Sequence, residues 1–145
     1  MDRDDELLET FLEEITNLNV EILEVLKALT ENIHQPEQFL KFSNIIDRIY
    51  GTALTLELND LGKYCGELKK ISRMTGNSDI QRAHQPVYKL MLNYTVNFKV
   101  LKESIQDSSK NEEFLNSIKV DLKKIANLEK DIFAYADKKI SVIKS

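Results

Sequence analysis

Apolar residues recur at spacings of three and four along almost the whole chain. Leu7, Leu8, Phe11, Leu12, Ile15, Leu18, Ile22, Val25, Leu26 and Leu29 form the first stripe. Such a stripe marks one buried face of an α-helix and predicts a helix over residues 4–30. Acids crowd its first turn, where the helix dipole favours them, and Glu13, Glu14, Glu21 and Glu24 fall on the wet side. Residues 31–35 make a short connection. Pro36 fits the first turn of a second helix, where its missing N–H costs nothing. That helix runs to about Leu56 with Phe39, Leu40, Phe42, Ile45, Ile46, Ile49, Tyr50 and Ala53 facing inward. Asn44, Asp47, Arg48, Gly51 and Thr55 lie on the opposite side by the 3.6 period. After a tight corner, Asn59 is placed to cap a third helix striped by Leu61, Tyr64, Cys65, Leu68, Ile71 and Met74. Thr75-Gly76-Asn77 ends it, with Gly76 suited to a left-handed C-terminal position. Ser78-Asp79 is placed to cap a short helical piece. A fourth helix begins near Pro86 and carries Val87, Leu90, Met91, Tyr94, Phe98, Leu101 and Ile105 to about Gln106. Ser109-x-x-Glu112 reads as a capping box opening the last helix, whose stripe runs from Phe114 to Ile140.

Five amphipathic helices with short links cannot bury their stripes alone. The expected fold is all-α, an antiparallel helical bundle forming one domain over residues 1–145. Four glycines and two prolines agree with long helices and few turns. A net charge of −4 and a pI near 5.3 disfavour nucleic acid as a partner, because that role needs a basic face. No uninterrupted apolar run approaches the ~20 residues of a membrane span. The acidic start, Met1-Asp2-Arg3-Asp4-Asp5-Glu6, lacks the basic-then-apolar pattern of a secretory signal. A single cysteine makes no internal disulfide, which fits a reducing cytoplasm.

Chemistry-bearing residues are sparse. His34 and His84 are the only histidines, far apart in sequence and without Cys or Glu at ligand spacing, so no metal or cofactor is expected. Cys65 falls on an inner stripe and reads as a small buried hydrophobe. Gly62 and Gly66, four apart on the third helix, read as a place of close packing or as a surface thinned for a partner. Neither belongs to a phosphate loop. Gly51 stands inside a strongly apolar helical pattern. A mid-helix glycine costs about 1 kcal/mol against alanine, so it calls for a packing or access reason.

Around Gly51 the chain resembles the histidine phosphotransfer (HPt) family, including the first domain of chemotaxis-type histidine kinases. That family carries His-x-x-Lys-Gly-Ser/Thr on its second helix, then a small-residue turn and a third helix rich in leucine. Here Gly51 and Thr52 match the Gly-Ser pair and Ala53 the next small residue. Leu56, Leu58, Leu61, Cys65 and Leu68 match the apolar frame. The resemblance spans residues 7–106, and its specific part is 45–68. It implies a four-helix core plus a flanking first helix that covers one end. The phosphorylatable histidine falls on Asp47 and the lysine on Tyr50. Asp47 is anionic and would repel a phosphoryl group. Its neighbours at helical spacing, Ser43, Asn44, Tyr50 and Gly51, are not basic, so it reads as an exposed, unpaired acid.

The resemblance therefore implies a non-catalytic binding module rather than an enzyme. Its partner would be a receiver domain or a histidine-kinase component of a bacterial two-component pathway. Asn44, Asp47, Arg48, Gly51, Thr55, Lys63 and Glu67 are the expected contacts. Two readings compete. One is phosphotransfer through a non-standard histidine, His84. The other is a scaffold or homodimer unrelated to phosphorelay, using an exposed apolar strip around Ile132-Phe133 of the last helix.

Overall fold

The helices α1 (Arg3–Glu31), α2 (Pro36–Thr55), α3 (Asn59–Asn77), α4 (His84–Gln106) and α5 (Asn111–Leu128) follow one another in a computed structural model that describes residues 3–134. Short 3-10 turns, Gln81–Ala83 and Ser108–Lys110, lead into α4 and α5. A π-helical turn, Glu129–Ala134, prolongs α5. No strand occurs among the described residues. The chain is an all-α helical bundle, as the stripes predict, and none of its described helices is long and apolar enough to cross a membrane.

Successive helices run antiparallel. Leu54 meets Gly62 at one end of the α2–α3 pair and Leu40 meets Gly76 at the other. Thr30 meets Tyr88 and Asn19 meets Tyr94, so α1 and α4 are antiparallel neighbours as well. Tyr64 meets Asp121 and Lys70 meets Glu129, which sets α3 and α5 side by side and parallel. The neighbours close a ring in the order α1, α2, α3, α5, α4. Helix α1 packs along its length on α2 and α4, and its buried stripe extends from Phe11 to Leu29 rather than only over one end. At the centre Tyr94 is flanked by the rings of Tyr64 and Phe98, each with its centroid 6.4 Å away. Leu7 and Ile105, counted in the stripes, stay exposed.

The closest packing joins α2 to α3. A Cβ on Gly62 would lie 2.7 Å from Leu54 Cδ2, and one on Gly66 would lie 3.0 Å from Tyr50 Cε2. One on Gly76 would lie 2.6 Å from Leu40 Cγ and 2.9 Å from the Pro36 carbonyl oxygen. Gly62 and Gly66 thus follow the packing reading. Gly76 departs from its expected role. It is helical, and it is small because the start of α2 presses on it, not because the chain turns left-handed there.

The left-handed residue is Glu57, at φ 61°. Glu57 N–H donates to the Leu54 carbonyl and Leu58 N–H to the Ala53 carbonyl, the paired bonds of a Schellman ending. The corner lies where the apolar pattern breaks, between Leu56 and Asn59. Leu58, not Asn59, is the N-cap of α3, and no side chain caps it.

Other expected caps also differ. Ser78 Oγ donates back to the Thr75 carbonyl and so finishes α3. The turn Gln81–Ala83 is entered through Ile80 without a side-chain cap. The Ser109 capping box does not form. Ser109 donates its N–H and hydroxyl to Asp107 Oδ1 at 3.0 and 2.7 Å, because a carboxylate is the stronger acceptor, and α5 starts uncapped at Asn111. Ile132 and Phe133 are core residues at 8% and 4% exposure, not a surface strip. Ile140 lies outside the described residues.

Two substitutions test this account by urea unfolding. Gly76→Ala forces Leu40 and the start of α2 aside and should destabilise the fold by about 1–3 kcal/mol. Glu57→Gly relieves an L-residue held at positive φ and should stabilise it by about 0.5–1 kcal/mol.

Candidate functional site

The seven expected contact residues fall on two adjoining helix faces. Asn44, Arg48, Gly51, Thr55 and Lys63 are exposed, while Asp47 and Glu67 are half-buried. They do not form one tight cluster. Asn44 and Arg48 turn towards α1, where they line a groove of about 480 Å³ with Glu21 and Glu24. Lys63 and Glu67 lie on the row of α3 that continues to Lys70, whose ammonium reaches Glu129 at 3.3 Å. Asp47 lies at the α2–α3 junction.

Asp47 is not an unpaired acid. Lys69 of α3 donates to its Oδ1 at 2.9 Å. The same ammonium stands 5.0 Å from the centre of the Tyr50 ring. One lysine therefore engages both residues that occupy the resemblance's histidine and lysine positions. The positive charge absent at position 50 is supplied across the helix pair from position 69. With the Asp47 side chain 48% exposed, the ion pair is worth at most about 1 kcal/mol, and the cation–π contact adds about 0.5–1 kcal/mol.

Sequence reasoning missed Lys69 because it considered only neighbours on the same helix. A signal was present. Gly62, Gly66 and Lys69 follow at helical spacing, so the glycine row that packs on α2 carries Lys69 to the same interface.

Gly51 differs from the other three glycines. A Cβ built there meets nothing within 4 Å, and the residue is exposed. Packing within the bundle gives no reason for it. Thr52 and Thr55 turn their hydroxyls back onto the carbonyls of Arg48 and Gly51, so neither hydroxyl is left to donate outward beside Gly51.

The two histidines, 50 residues apart, meet. His34 Nδ1 and His84 Nδ1 lie 2.8 Å apart, and His84 stacks on Phe39 at 5.1 Å between ring centres. His84 is 2% exposed and its Nε2 has no partner. The inexpensive proton arrangement has His84 Nδ1–H donating to His34 Nδ1, so that the buried Nε2 is a bare lone pair and the exposed His34 keeps its Nε2–H in water. The pair ties the α1–α2 link to the start of α4.

Burial, and then the neighbouring His34, hold His84 below the usual histidine pKa. Cys65 is fully buried, and burial pushes its thiol up to about 12, well away from a reactive thiolate. No cluster of three or more His, Cys, Asp or Glu suited to a metal occurs among the described residues. A scan against protein-family models, a search of curated proteins and a search of solved structures each find no match to this chain.

The depressed His84 pKa has a definite sign. Above the unfolded value of about 6.5 both states are neutral and the His34–His84 contribution is fully present. As pH falls below that value the unfolded chain takes up the proton first, so stability declines down to the lower folded pKa. Urea midpoints should therefore drop between pH 7.5 and 5.5, and His84→Phe should remove most of that slope. A flat profile in the parent protein would contradict the pairing.

Proposed function

We propose that this chain is a non-catalytic, HPt-like binding module of a bacterial two-component or chemotaxis-type pathway, working in the cytoplasm. It would dock a receiver domain or a histidine-kinase component over α2 and α3. The observation that carries this reading is Gly51, the glycine for which the bundle itself has no use. Its conformational cost falls on the folded chain, and the benefit belongs to whatever approaches the bare backbone. Asp47 one turn earlier and Lys69 beside it supply fixed charges. The ammonium of Lys69 suits the acidic cluster of a receiver domain.

The competing readings are less well supported. His84 is 2% exposed and closed in by Phe39 and His34, so its one unpartnered nitrogen, Nε2, is out of reach of a phosphoryl donor. A dimer through Ile132 and Phe133 would need residues that the bundle already buries.

Paired variants test the proposal. Gly51→Ala should stabilise the isolated protein by about 1 kcal/mol, since a methyl group there improves helix propensity and meets nothing. Gly51→Arg adds bulk on the docking face and leaves the core alone. In affinity capture from the source cell read by mass spectrometry, receiver or kinase proteins should be held by the parent and lost in Gly51→Arg. Asp47→Ala should weaken the same complex more than Glu103→Ala, an exposed change on α4. Identical captured sets for parent and Gly51→Arg would remove this face from consideration.

A further inference from the structure

On the far side of the ring from α2, helices α4 and α5 bury a carboxylate without a counter-ion. Asp121 is 4% exposed. Its Oδ2 accepts from Asn97 Nδ2 at 2.7 Å and from the Tyr64 hydroxyl at 3.3 Å, and its Oδ1 accepts from Asn93 Nδ2 at 3.2 Å. Asn97 Nδ2 also lies 2.9 Å from the Tyr64 oxygen. Among the described residues no lysine, arginine or histidine pairs with Asp121. A charge withdrawn from water without an opposite charge is costly, and neutral donors offset only part of that cost.

Asp121 is itself one of the residues lining an open cavity of about 240 Å³, with Asn93, Val96, Asn97, Ser117 and Val120. The amide nitrogens of both asparagines are engaged by Asp121. Their carbonyl oxygens have no hydrogen-bond partner among the described residues, and neither is shut off from solvent. Asn97 spends both amide N–H groups, on Asp121 and on the Tyr64 oxygen, and Asn93 spends one, so the groups left to a ligand are mainly acceptors around a negative charge, plus one Asn93 N–H and the Ser117 hydroxyl. Val96 and Val120, 59% and 54% exposed, flank the mouth. An adjoining groove of about 490 Å³ shares Asn93 and is lined by Leu90, Leu92 and Leu128 together with Lys89, Lys124 and Asp131.

We infer that the α4–α5 seam is a second docking site, for a partner-protein segment that inserts an arginine onto Asp121. A guanidinium brings a positive charge that the cavity lining lacks and several donors for its free acceptors, and its aliphatic stem would lie between the two valines. Apolar residues beside that arginine would enter the adjoining groove. The site is independent of the α2–α3 face and lies across the bundle from it.

The probe is acetyl-arginine methylamide, with its neutral citrulline counterpart as control, titrated into the full chain and followed by NMR. Saturable shifts should appear at the Val96 and Val120 methyls and the Asn93 and Asn97 side-chain amides with the arginine compound alone. They should weaken with added salt. Asp121→Asn should reduce the affinity at least tenfold. Should that variant fail to fold, Val96→Lys decides, because it places a cation over the mouth from an exposed position and must abolish the shifts. No saturable shift, equal shifts with citrulline, or unchanged binding in a folded Asp121→Asn or in Val96→Lys overturns the inference.

Discussion

The outer face of this bundle depends on how closely α3 can approach α2. Three glycines on α3 receive Leu54, Tyr50 and Leu40, and any Cβ at those positions would stand within 3.0 Å of the incoming side chain. The approach also brings the base of Lys69 near enough for its ammonium to reach Asp47 and lie over Tyr50. A wider gap would leave Asp47 a solvated acid and Tyr50 an exposed ring. The corner between the helices serves the same geometry. With only three residues between Thr55 and Asn59, the chain reverses by placing Glu57 in the left-handed region, and both bonds of the Schellman ending form despite the unfavoured residue.

Much of the fold was legible because helical periodicity reports directly on which side of a helix is buried. The five stripes, apart from exposed Leu7 and Ile105 and as far as Phe133, the break between Leu56 and Asn59, and Pro36 as a helix opener correspond to the structure. What periodicity does not report is which neighbour a face meets. The Asp47–Lys69 pair, the His34–His84 contact and the Asp121 network each join different elements, and only the first left a trace along one helix, in the spacing of Gly62, Gly66 and Lys69. Local cap signals failed for a related reason. Ser109 and Gly76 both carry residue types that suit caps. A stronger acceptor, Asp107, took the serine, and the packing of Leu40 explains the glycine instead. A residue type lists what a position can do, and the surroundings select among those options.

The candidate face was legible to a different degree. The resemblance to the HPt frame centres on Gly51 of α2, and the geometry adds that this glycine has no internal contact to explain it. The electrostatics were misread, because the positive charge comes from the partner helix.

The bundle treats its two conspicuous aspartates in opposite ways. Asp47 is half-exposed, would be well solvated alone, and is nevertheless paired with a lysine. Asp121 is buried, has most to gain from a cation, and has none among the described residues. Stability alone would favour the reverse arrangement, since an exposed ion pair contributes little and a buried unpaired charge is expensive. A charge fixed in place at an exposed face has a definite direction and position for an approaching surface to meet. A charge held by three neutral donors beside an open cavity is only partly offset. The two departures lie on opposite sides of the ring, Asp47 at a half-exposed helix junction and Asp121 buried beside an open cavity, and packing by itself explains neither.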